Sequence, residues 1–193
     1  MRAVNFIVFL MVLLVAADVS YAQRPASPRG ESSTQIGDDW LVVDYGRPIL
    51  RGRTGIFGEG DTYGQSVNGG APVWRGGANK STRFMTETAL KFGDHTLPAG
   101  EYSLFVDLKA DGWTLIVSNH AAKDNFREDS DGLWGSYNYT ADKDVFRVPM
   151  TMEETSMSHD QFTIAFTDVT EKGGTLAMMW ERTMAYVVFA FDH

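Results

Sequence analysis

The chain has 193 residues, 44% of them hydrophobic and 22% charged, with a formal net charge of -8 and a sequence pI near 4.9. That much apolar material excludes a wholly disordered chain and suits one domain with one core. The acidic balance excludes general nucleic-acid binding, which needs clustered Lys and Arg against phosphate, and disfavours an anionic membrane surface; a small local basic pocket is compatible with it.

Residues 1–22 read as a signal peptide. Arg2 supplies a positive start, residues 6–17 form an unbroken apolar run, and Ser20-Tyr21-Ala22 presents small residues for cleavage before Gln23. The run of 12 residues is short of the roughly 20 that cross a bilayer as a helix, and no later segment could span. Cleavage would leave 193 − 22 = 171 residues; it removes Arg2 and Asp18 together, so the charge stays at -8. Cysteine is absent, so there are no disulfides and no thiol for a lipid anchor. The expectation is a soluble exported protein, periplasmic or extracellular and not a lipoprotein.

Residues 23–38 are expected to be a flexible leader, because 23–35 are rich in Pro, Ser, Arg and Glu with almost nothing to bury. A single domain, residues 39–193, follows. Trp40-Leu41-Val42-Val43-Asp44-Tyr45 has strand composition. Gly46-Arg47-Pro48 then ends it, since proline cannot donate to a ladder, which puts Tyr45 and Arg47 at a strand mouth. Eight glycines between 46 and 70 rule out a helix or a long strand and predict a long loop carrying Arg47, Arg51 and Arg53. Those arginines are either solvated on a loose loop or part of an anion-binding pocket; the sequence weighs the two about equally.

After Thr82 the pattern turns β-rich. Residues 82–86 and 89–92 are short candidate strands, and His95-Thr96-Leu97-Pro98-Ala99-Gly100 reads as turn sequence before the next one. In residues 102–108, Tyr102, Leu104, Val106 and Leu108 share a face at period two. Ala110-Asp111-Gly112 predicts a tight turn using the positive φ that Asp-Gly accommodates, and residues 113–118 return. Residues 120–139, polar and uneven, predict a long loop whose aromatics fold back on the sheet. Residues 144–150 resume as a strand, with Pro149 marking an edge or an end. A second hairpin is expected from residues 161–167 and 175–181 around Glu171-Lys172-Gly173-Gly174. The last strand, 184–191, is apolar on both faces and is therefore expected to be central or packed on two sides. Short strands at regular spacing predict an all-β fold: an antiparallel β-sandwich, jelly-roll-like, with a long Gly-rich loop and little helix.

Tyr45-Gly46-Arg47-Pro48, Gly52-Arg53, Phe57-Gly58, Trp74-Arg75-Gly76-Gly77-Ala78-Asn79, Leu97-Pro98-Ala99-Gly100-Glu101-Tyr102, Trp134-Gly135-Ser136-Tyr137 and Asp144-Val145-Phe146-Arg147-Val148 occur in that order. On these motifs, from about Trp40 to Phe191, the chain resembles the bacterial family catalogued as Domain of Unknown Function 2911. The resemblance implies an exported β-rich domain and transfers no catalytic residues. The chain departs from the pattern at Gly77, where one glycine is expected after another small residue, and in a longer stretch at 123–131.

Tyr45, Trp74 and Trp134 with Arg47, Arg53, Arg75 and Asn79 are the candidate ligand-binding residues, lining one pocket if the Gly-rich loop folds over the strand ends. Aromatic faces stack on sugar rings, and Arg forks grip carboxylate or phosphate. The plainer alternative makes Trp74 core, pairs Arg75 with an acid such as Glu181, and has the Asn79 amide cap a turn. No metal or other cofactor is expected. His95, His120, His159 and His193 lack ligand spacing, and Asp129-Ser130-Asp131-Gly132 lacks the first carboxylate of a calcium loop. The nucleophile-elbow and Walker patterns fail at Gly64-Gln65-Ser66-Val67-Asn68 and at Asn79-Lys80-Ser81. Asn79-Lys80-Ser81 and Asn138-Tyr139-Thr140 match the glycosylation sequon and are expected to stay unmodified in a bacterial setting. The leading reading is a non-catalytic exported domain binding a small molecule or glycan. The competing readings are a hydrolase with acid and base on distant strands, and a structural protein of the cell envelope; the sequence does not fix the oligomeric state.

Overall fold

The structure is a computed structural model, and it describes residues 26–191. The expected signal peptide lies outside the described residues. Ten strands form: β1 (Arg29–Ile36), β2 (Asp39–Gly46), β3 (Thr82–Thr86), β4 (Leu90–Phe92), β5 (His95–Leu97), β6 (Gly100–Lys109), β7 (Gly112–Ser118), β8 (Asp144–Pro149), β9 (Thr151–Thr170) and β10 (Gly173–Phe191). They make a six-stranded sheet ordered β1-β2-β3-β6-β7-β8 and a four-stranded sheet ordered β5-β4-β10-β9, with every pairing antiparallel. The all-β sandwich of the sequence reading is the observed fold. No helix among the described residues is long and apolar enough to cross a membrane.

Alternation builds the core. Leu104, Val106 and Leu108 of β6 and Leu115 and Val117 of β7 face inward, against Phe162 and Ile164 of β9 and Met178, Trp180 and Phe189 of β10. The residues between them, Phe105 and Ile116, point the other way. There they form a second, smaller cluster with Val73, Leu133 and Tyr139, so the loop of residues 120–139 folds back on the outer face of the six-stranded sheet. The β6–β7 hairpin turns where expected, with Lys109 opposite Gly112. Neither Asp111 nor Gly112 takes a positive φ, however; the glycine instead opens β7.

Three expectations are corrected. Residues 29–36 of the supposed leader are β1, which pairs along its full length with β2. A polar segment can be an edge strand because its backbone supplies the bonds. Arg29 adds to these by gripping the Asp44 carboxylate and the carbonyls of Lys80 and Ser81. His95–Leu97, read as turn sequence, is β5, folded back on β4 with Phe92 opposite His95. Finally, the second hairpin and the last strand are not separate, since β10 runs unbroken from Gly173 to Phe191. Glu181 (φ 54°) lets the ladder slip there without ending, as a bulge does. β10 lies between β4 and β9, the central position expected of it, but only one face of its last stretch is covered: Val187, Phe189 and Phe191 are buried while Val188 is 63% exposed.

Candidate functional site

The segment around Trp74 is extended where it meets β6: Trp74 N–H donates to Val106 O at 2.9 Å, and Val106 N–H donates to Trp74 O at 2.8 Å. In extended backbone successive side chains point to opposite faces. Trp74 therefore enters the inter-sheet core while Val73 and Arg75 face outward. The expected single cluster is divided by the sheet it sits on.

On the inner side Trp74 is buried among Phe57, Phe162, Trp113 and Trp180, at ring separations from 4.9 to 6.3 Å. Tyr45 is core as well, its ring edge-on to Phe162 at 5.7 Å and its hydroxyl donating to Ile164 O at 3.1 Å. Arg47 is spent on β9, donating from Nε to Phe162 O (3.4 Å) and from Nη2 to Thr163 Oγ1 (3.2 Å). Of the predicted residues, only Arg53 and Trp74 meet at a cavity.

That cavity is a cleft of about 190 Å³ at the mouth of the sandwich, lined among others by Arg53, Ser66, Val67, Trp74, Gly77 and Trp180. The two indoles are near-parallel, 6.3 Å apart at an interplanar angle of 12°. Trp74 Nε1 donates to Gly77 O at 3.0 Å, whereas Trp180 Nε1 is buried and has no hydrogen-bond partner among the described residues. Arg53 is positioned by donating from Nε to Leu50 O (3.0 Å) and from Nη2 to Ile49 O (2.9 Å), and its Nη1 makes no bond among the described residues. The Gly-rich loop does fold over the strand ends. It is held there by Glu181, whose carboxylate accepts from Gly55 N–H at 2.6 Å and Ile56 N–H at 3.0 Å. Glu181, the example of an acid that the plainer alternative paired with Arg75, is therefore engaged elsewhere. The glycine pair also has a reason: a Cβ on Gly77 would come within 2.6 Å of Gly46 O, so bare backbone packs on bare backbone.

On the outer side Arg75 is 8% exposed. Its Nη1 donates to Asn79 O at 3.0 Å, and its guanidinium carbon lies 4.9 Å from the Tyr137 ring centre. Asn79 contributes its carbonyl, from a left-handed backbone (φ 64°), and not the capping amide expected of it. Trp134 lies half-buried in the outer loop and does not line the cleft.

Two features escaped the sequence reading. Trp180 belongs to the cleft, and its place in the alternation of β10 was the available signal. The other is a polar knot under the outer loop. The Tyr139 hydroxyl lies 2.6 Å from Asp144 Oδ2, and Arg147 donates to Tyr139 Oη at 2.8 Å and to Asp144 Oδ2 at 2.9 Å. Burial first, then the Asp144 carboxylate, pushes the Tyr139 hydroxyl well above the ordinary tyrosine value. Beside it His120 is buried; its Nε2 lies 2.9 Å from Thr140 O, and Nδ1 has no partner among the described residues. His120 and Asp131 line one basin of about 440 Å³, but no hydrogen bond joins them. Among the described residues no group of His, Asp and Glu could hold a metal ion.

A family model described as a protein of unknown function, DUF2911, matches residues 27–189. No curated protein and no solved structure matches the chain.

Proposed function

This chain belongs to the DUF2911 family, whose function is unknown, and from that premise we propose that it is an exported domain binding one small ligand, a sugar ring or a small carboxylate, in the cleft between Arg53 and the Trp74–Trp180 pair. The carrying observation is that Trp180, one of the residues lining the cleft, carries a buried Nε1 donor with no partner among the described residues. A buried polar group without a partner costs free energy, and a ligand acceptor would relieve it. Trp74 and Trp180 are 1% and 4% exposed and so bound the cleft as a rigid apolar wall, while the free end of Arg53 offers a charged donor to a hydroxyl or carboxylate. At about 190 Å³ the space is below the roughly 300–1,000 Å³ of drug-sized sites, which limits the ligand to about one ring.

Titration of the protein with a panel of monosaccharides and small carboxylates, followed by tryptophan emission and calorimetry, tests this. One member of the panel should bind. Arg53→Ala should then weaken it about tenfold or more, as loss of a charge-assisted bond of about 1.5–3 kcal/mol predicts. Trp180→Phe, which keeps the ring surface and removes the donor, should weaken it less. A panel that leaves the emission unchanged, or binding indifferent to both substitutions, would overturn the proposal. Residues 1–22 are the basis for export, and protein recovered from outside the cytoplasm should begin at Gln23; a chain retaining Met1 would count against it.

A further inference from the structure

We propose a second binding site, on the opposite face of the six-stranded sheet from the cleft, in which Arg75 and Tyr137 hold a single small oxyanion: a carboxylate, phosphate or sulfate group. Arg29, Arg83, Arg147 and Arg182 each have a carboxylate within 3.0 Å. Arg75, though buried, has none within salt-bridge distance among the described residues. A buried cation is normally paired, because stripping it of water costs several kcal/mol. The bond to Asn79 O and the face of Tyr137 answer only part of that cost.

The unused donors converge. The point where a Cβ would stand on Gly69 is 3.6 Å from Tyr137 Oη and 3.9 Å from Arg75 Nη2, and apart from Gly69 and its chain neighbours no other described atom lies within 4 Å of it. Neither atom has a hydrogen bond among the described residues. Gly69 and Gly70 are exposed, so this notch opens to solvent, and any side chain at 69 would fill it. The guanidinium is also held in place: a Cβ on Gly135 would come within 2.5 Å of Nη1, so loop backbone lies directly against it. A fixed guanidinium edge beside a phenolic hydroxyl suits a planar or tetrahedral oxyanion, and Lys could not reproduce that fork. This site does not depend on the cleft; either could fail alone.

The test uses the full protein at constant ionic strength, with sodium chloride as reference and inorganic phosphate, sulfate and acetate as the three probes. Calorimetry and the shift in Tm are the readouts. At least one probe should bind saturably at one equivalent. Arg75→Met should weaken it at least about tenfold and Tyr137→Phe about two- to tenfold, the range expected for one neutral hydrogen bond. The charge-matched control Arg182→Ala should leave it unchanged. Phosphate or sulfate binding well ahead of acetate would identify a phosphorylated or sulfated ligand, and the reverse order a carboxylate. Three probes that bind no better than chloride would overturn the site, as would full-strength binding by both variants. Should Arg75→Met fail to fold, Tyr137→Phe decides, since that side chain is 43% exposed and its hydroxyl supports no other contact.

Discussion

At Tyr139 one hydroxyl ties the outer loop to β8, facing the Asp144 carboxylate while Arg147 donates to it. Ionising it would bury a phenolate against a carboxylate, and so its proton is held in the folded state. Tyr63 and Tyr102 are shifted in the same direction chiefly by burial, and Tyr186 chiefly by its bond to Glu153. The folded values lie above the unfolded one of about 10, so their contribution is fully present below that pH and is lost as pH rises through the folded values. Tyr139→Phe should therefore flatten the alkaline fall in stability while costing about 1.5–3 kcal/mol at neutral pH. Urea melts of both proteins at neutral pH and above the ordinary tyrosine value of about 10 check this; parallel pH profiles would contradict it. The knot was not legible in the sequence. Tyr139 falls in the stretch expected as loop and Asp144 and Arg147 in the one expected as strand, and nothing local marks three polar residues for one another.

β10 does two jobs at once, and Glu181 joins them. Its slip in register lets one strand continue past a bulge, and its carboxylate reaches back to fasten Gly55 and Ile56 in the loop over the cleft. Glu181→Gln can accept only weakly in place of two charge-assisted bonds and should release the loop by about 1–3 kcal/mol. Hydrogen exchange should report this as faster exchange at Gly55 and Ile56 with β6 and β7 unchanged; protection retained at both amides would show that the loop is held some other way. The loop itself was legible from its glycine density, and the β6–β7 hairpin from strict alternation. β1 was not, because an edge strand needs only its backbone, and the composition of Arg29–Ile36 resembles that of a linker.

Both sheets contribute to one hydrophobic core, with Trp74, Trp113 and Trp180 meeting in it from different elements. Neither sheet keeps its inner face covered without the other, so they should unfold together. Tryptophan emission and far-UV circular dichroism should trace the same urea transition; separate midpoints would show independent halves. Composition and period-two patterning by themselves determined the all-β class, the main hairpin and the long loops, because those depend on neighbours a few residues apart. Only the tertiary structure decided which face each functional side chain took. The bond from Gly55 to Glu181 spans 126 positions, and the fate of Trp74 and Arg75 turned on a short extended pairing with Val106 that sends adjacent residues to opposite sides. Contacts of that range leave no periodic trace in a chain, because each partner is chosen by packing that exists only once the two sheets have closed.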